Sequence, residues 1–139
     1  MSSVLPEINF YQIEGAVSGS IAPLLLKILD EKKKALIFCK NKVKIKEIDD
    51  SLWSYGRNKF IPHSIVFDHE LKPERQPVLI TNEEKNLNKS DYLIFLDEPS
   101  ENFIKSFSRV FYFFEEGNCL ASVKPTNFYR KADGKWKKV

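Results

Sequence analysis

"ALIFCKNKVKIKEIDDSLWSYG", residues 35–56, is the stretch that decides the fold. It opens with an unbroken apolar run, 35–39, and shows no alternation with polar residues. A strand of that kind is covered on both faces, as strands of a parallel sheet are. A helix pattern follows, with Asn41 as a candidate cap, a stripe of Ile45, Ile48, Leu52 and Tyr55, and Gly56 as its stop. A buried strand leading straight into an amphipathic helix is the opening of a βαβ unit.

The same alternation extends in both directions. Upstream, "INFYQI" (8–13) reads as a strand rich in aromatic and β-branched residues. In "SGSIAPLLLKILDEKKK", Ile21, Leu24, Leu25, Ile28 and Leu29 draw one helical stripe, with Ser20 as the expected cap and Pro23 in the first turn. Downstream, "FIPHSIVF" is irregular, and Pro62 argues against a central strand. "VLIT" (78–81), "DYLIFL" (91–96) and "RVFYFF" (109–114) read as further strands. Polar loops and a short helix capped by Ser100 separate them. Asp133-Gly134 is a strong hairpin signal. Pairing across it sets Lys131 opposite Trp136 and Tyr129 opposite Lys138 on one face. Phe128, Arg130, Lys137 and Val139 take the other face. The expected fold is α/β: an open, mostly parallel sheet flanked by helices, closed by a C-terminal β-hairpin, in a single domain spanning 1–139.

Composition bounds the function. The chain has 139 residues, 42% apolar and 29% charged, which is a globular balance. No apolar run reaches membrane-spanning length, and no secretory signal is visible at the N-terminus, so a cytoplasmic protein is expected. Cys39 and Cys119 form no CxxC pair, and His63 and His69 have no zinc-like spacing. Reduced thiols, no metal and no cofactor are expected. Net charge is +3. The excess concentrates in "RKADGKWKK", where Arg130, Lys131, Lys135, Lys137 and Lys138 face a single acid, Asp133.

"YLIFLDEPS" (92–100) imitates the magnesium-binding strand of an ATPase. That chemistry also needs a glycine-rich phosphate loop ending in Lys and Ser or Thr. After the first strand this chain has "EGAVSGSIAP", without the lysine and without the glycine spacing. Asp97 and Glu98 therefore read as acids at a strand end. No catalytic residues are assigned.

Residues 34–66, "KALIFCKNKVKIKEIDDSLWSYGRNKFIPHSIV", carry a Leu-Trp at the end of a helix and F-x-P-H seven residues after the Trp. This resembles the chi subunit of bacterial DNA polymerase III, an accessory protein of the clamp-loader complex. "QPVLIT", "DYLIFL", "RVFYFF" and "NFYRKADGKWKK" extend the likeness to the end of the chain. The resemblance implies a nucleotide-binding-like fold without its phosphate loop and a non-catalytic bridging role. It implies one face for the psi subunit or a helicase, at Trp53, Phe60, Pro62 and His63. It implies a second face for the acidic, Phe-ending tail of single-stranded DNA-binding protein, and contact with DNA only through partners. The chain departs from the family in "FFEEGNCLASVKPTNF", which is about ten residues too short for the helix that lines the tail pocket. Phe114 keeps a wall position. Lys124, Arg130 and Lys131 are the cations available to replace the helical ones. The competing reading is a small single-stranded nucleic-acid-binding domain that uses Tyr129, Lys131, Trp136 and Lys138 of the hairpin.

Overall fold

The computed structural model describes residues 6–13, 17–53, 63–65, 72, 76–115, 126–132 and 135–138. Eight strands form one sheet in the order β3-β4-β2-β5-β6-β1-β7-β8. They are β1 (Glu7–Ile13), β2 (Ala35–Phe38), β3 (Ser64–Ile65), β4 (Val78–Thr81), β5 (Tyr92–Phe95), β6 (Arg109–Glu115), β7 (Asn127–Ala132) and β8 (Lys135–Lys138). Each neighbouring pair from β3 through β7 is parallel, and β8 runs antiparallel at the edge. The helices are α1 (Val17–Asp30), α2 (Lys42–Trp53) and the single turn α3 (Glu101–Ile104).

The apolar runs behave as their lack of alternation requires. In β2, β4 and β5 successive side chains go to opposite faces, and both faces are covered. One face joins Ile37, Cys39, Ile80, Ile94 and Phe113 to Ile21, Leu25 and Ile28 of α1 and to Ile45, Ile48 and Leu52 of α2. The other joins Leu36, Phe38, Leu93, Phe95 and Tyr112 to Ile104 and Phe107. That second face is rich in rings: Phe95 stacks on Tyr112 with centroids 4.9 Å apart, and Phe10 meets Tyr112 edge-on at 5.1 Å.

Both expected caps at Asn41 and Ser100 form. Asn41 Oδ1 accepts from the Val43 and Lys44 amides, and Ser100 Oγ from the Phe103 amide. The start of α1 is a correction. The helix begins at Val17, so Ser20 lies inside it and Pro23 sits beyond the first turn. Pro23 is exposed there, so its ring costs one backbone hydrogen bond and displaces no core residue. Tyr55 and Gly56, expected to close α2, lie outside the described residues. The hairpin strands pair in the expected register, Tyr129 with Lys138, Arg130 with Lys137, and Lys131 with Trp136; Asp133 and Gly134 themselves lie outside the described residues.

The loop 82–91 is pinned from beneath. Asn88 is fully buried and donates to the carbonyls of Ala35 (3.2 Å) and Gln76 (3.0 Å), while its own carbonyl accepts from Ser90 Oγ (2.6 Å). This single amide ties the starts of β2 and β4 to the loop that enters β5.

Candidate interaction surfaces

α2 delivers Trp53 to the surface. Its neighbour Leu52 is 1% exposed and belongs to the core, whereas Trp53, one helical step round, is 53% exposed. The Trp53 ring rests on the imidazole of His63, with centroids 4.4 Å apart. His63 in turn is held by α2: its side chain is wholly buried, and Nε2 lies 3.0 Å from the Asp49 carboxylate and 3.3 Å from the Asp49 carbonyl. Both neighbours of Nε2 are acceptors, so that nitrogen carries the proton. The carboxylate of Asp49 is also approached by Lys46, at 3.8 Å. Lys46 pairs more closely with Asp50, at 3.1 Å, and this hydrogen bond raises its pKa. Trp53 and His63 of the expected partner face are thus adjacent, one outside and one inside. Phe60 and Pro62 lie outside the described residues. Asp49 was not legible as a site residue, because its partner is 14 positions away across a loop.

The second candidate surface crosses β6, β1 and β7. Register aligns Phe114, Gln12 and Arg130 in one row and Tyr112, Phe10 and Phe128 in the next. Phe114 and Phe128 meet edge-on at 5.6 Å. Phe114 is buried, Phe128 and Gln12 are half-buried, and Arg130 is exposed. Phe114 and Arg130 are therefore brought to one face, with an aromatic floor beside a cation. Strand alternation puts position 131 on the opposite face. Lys124 lies outside the described residues. Gln12 was missed in the sequence, although the alternation of "INFYQI" already sets it on the side of Phe10.

At the carboxyl ends of the central strands, Asp97 Oδ2 accepts the Lys40 amide at 2.8 Å and fastens the β2–α2 turn to the end of β5. Cys39 is buried beside it, and its thiol points to the Asn41 carbonyl at 3.8 Å. Burial pushes the Cys39 thiol up to about 11, and the Asp97 charge adds to the shift. The aspartate of the ATPase-like "LDE" thus has a local structural task. Among the described residues, no three His, Cys, Asp or Glu side chains gather as metal ligands, and no helix is long and apolar enough to cross a membrane.

Comparison with known proteins agrees with the residue-level likeness. Residues 5–131 match the family model described as DNA polymerase III chi subunit, HolC. The DNA polymerase III subunit chi of Haemophilus influenzae is 32% identical over 89 residues, covering 63% of this chain and 60% of that protein. The probable DNA polymerase III subunit chi of Rickettsia prowazekii is 33% identical over 70 residues, 45% of this chain and 41% of that protein. The matches thus span less than two thirds of either relative. In three dimensions the chain is similar to the Hef helicase domain of Pyrococcus furiosus, with a TM-score of 0.58 and 16% identity over 73% of this chain and 25% of that one. At that identity the likeness is one of fold.

Proposed function

Since the chain belongs to the DNA polymerase III chi subunit family, we propose that it is a non-catalytic accessory subunit that links a replication partner to single-stranded DNA-binding protein. Trp53 carries the first contact. A tryptophan half out of solvent on a helix, backed by a buried and hydrogen-bonded imidazole, is the kind of preset aromatic that anchors protein interfaces. The partner is a psi-type subunit or a helicase, and Phe60 and Pro62 complete the face with it. His63 acts through Trp53, since its own side chain is buried.

The second contact is the acidic, aromatic-ended tail of single-stranded DNA-binding protein, received beside Phe114, Phe128 and Arg130. An apolar wall next to an exposed guanidinium suits a terminal aromatic residue with a free carboxylate. The chain thereby sits between the clamp-loader assembly and the protein that coats single strands.

The test of the first contact is capture from cell extract on the immobilised chain, with captured proteins identified by mass spectrometry. Trp53→Ala with Phe60→Ala should abolish capture of a replication or helicase protein, since truncating an anchor costs about 2 kcal/mol or more. The melting transition should survive. Collapse of the fold would make the two residues core and refute the assignment. For the second contact, a fluorescent tail peptide should bind weakly, at micromolar Kd or above, and more weakly as salt rises. Tight binding insensitive to salt would refute it.

A further inference from the structure

The face of the sheet opposite Phe114 and Arg130 carries a row that crosses four adjacent strands. Register sets Phe113 beside Tyr11, Tyr11 beside Tyr129, and Tyr129 beside Lys138. The three rings form a continuous stack. Phe113 and Tyr11 lie 5.0 Å apart with planes 12° from parallel, and Tyr11 and Tyr129 lie 5.0 Å apart at 16°. The stack begins in the core at buried Phe113 and runs outward to half-buried Tyr129. Lys138, next in the row, is exposed. Antiparallel pairing puts positions 131 and 136, a lysine and a tryptophan, on this same face.

Charge selects the occupant. Of the cations of the hairpin, those at positions 131 and 138 belong to this face, with no acid from β7 or β8 beside them, so it attracts a polyanion. An acidic peptide would satisfy that charge, but at most its terminal aromatic residue could use a ring of the stack. Unpaired bases can all use it, because every base presents a flat face that aromatic side chains accept without regard to sequence. In a duplex those faces are already stacked, which disfavours double strands here.

We propose that the β7–β8 edge binds single-stranded nucleic acid directly, with Tyr129 extending its ring stack to a base and Lys138 meeting a phosphate. Lys131 and Trp136 occupy the next positions of the same face. This contact uses the side of β7 opposite to the tail-binding surface, so the two stand or fall separately.

The experiment is fluorescence anisotropy of a labelled short oligothymidylate titrated with the full chain at several salt concentrations. Saturable binding at low salt is expected, with Kd rising steeply as salt is added, and with a matching duplex bound more weakly. Tyr129→Leu keeps an apolar residue in the row but removes the stack. It should weaken binding at least about fivefold, the least that one lost base stack produces, while the thermal melt stays close to that of the parent. Lys138→Glu should weaken binding and flatten the salt dependence. It serves as the independent variant if Tyr129→Leu fails to fold. Lys32→Glu, on the distant α1–β2 turn, should change little. The proposal is overturned by absence of binding at low salt, or by an effect of Lys32→Glu equal to that of Lys138→Glu. It is also overturned if a polyglutamate peptide displaces the oligonucleotide at matched charge, since the surface would then be a general polyanion site.

Discussion

Replacing Asp49 with alanine should weaken both the fold and the surface that Trp53 presents. His63 is the link. Its side chain has no solvent exposure, and its Nε2 proton is shared between the Asp49 carboxylate at 3.0 Å and the Asp49 carbonyl at 3.3 Å. Stripping the carboxylate from a buried donor costs roughly 1–3 kcal/mol. The surviving bond to the main chain keeps the loss away from the upper end. Lys46 contributes little, because it is exposed and 3.8 Å away. The net is about 1.5–2 kcal/mol, which for a chain of this size lowers Tm by roughly 5–7 °C. Urea melts followed by circular dichroism would measure it. The His63→Phe background isolates the cause: there Asp49→Ala should cost much less, because the donor is gone. Partner capture should fall with Asp49→Ala even at temperatures where the variant is folded, since Trp53 loses its fixed base. A loss below about 0.5 kcal/mol, typical of an ordinary surface change, would refute the reasoning. An equal loss in both backgrounds would refute it too.

Asn88→Ala should destabilise by about 3 kcal/mol, because three hydrogen bonds inside the fold lose their shared partner; a denaturant midpoint unchanged from the parent would contradict this. Cys39 should resist alkylation at neutral pH and react once the chain is unfolded, since its burial holds the thiol protonated to about pH 11. The raised value also means that the folded state loses ground to the unfolded one as pH climbs from about 9 toward about 11, a loss that Cys39→Ala should lessen in pH-dependent melts. Calorimetry with ATP and magnesium should show no micromolar binding to the parent or to Asp97→Asn, because Asp97 is engaged with the Lys40 amide and no phosphate loop follows β1; heat of binding that Asp97→Asn abolishes would reverse that conclusion.

The sheet was legible because its signals are local. Continuous apolar runs such as 35–38 and 78–80 require cover on both faces, and an Asp-Gly pair in the sequence leaves one register open to the flanking strands. The start of α1 was not legible. Ser20 looks like a cap, and a proline reads most naturally in a first turn, yet the helix starts at Val17 and carries Pro23 on its exposed side. Asn88 and Asp49 were invisible for a different reason. Each is an ordinary polar residue in a polar stretch, and its role depends on partners that only the closed sheet brings near. Trp53 stood out because it falls beside the core stripe of α2. The depth of its support by His63 depends on a chain crossing that no periodicity encodes.

Strand alternation also revises how the cations at the C-terminal edge are shared. Arg130 and Lys131 are neighbours in sequence and look like one basic cluster. In a regular strand, neighbours face opposite ways, so Arg130 joins Phe114 and Phe128 while position 131 joins Tyr129 and Lys138. A tail pocket on the Phe114 side thus receives one strand cation where the sequence suggested two. One exposed charge-assisted contact is weak and readily screened, which accounts for the expected salt-sensitive, micromolar tail binding. The same geometry makes the two surfaces separable by point changes. Arg130→Glu should impair capture of the tail peptide and leave oligothymidylate binding nearly intact, whereas Lys138→Glu should do the reverse. If either change impaired both ligands equally, the two faces of β7 would be acting as one diffuse basic edge, and the division of labour between them would be wrong.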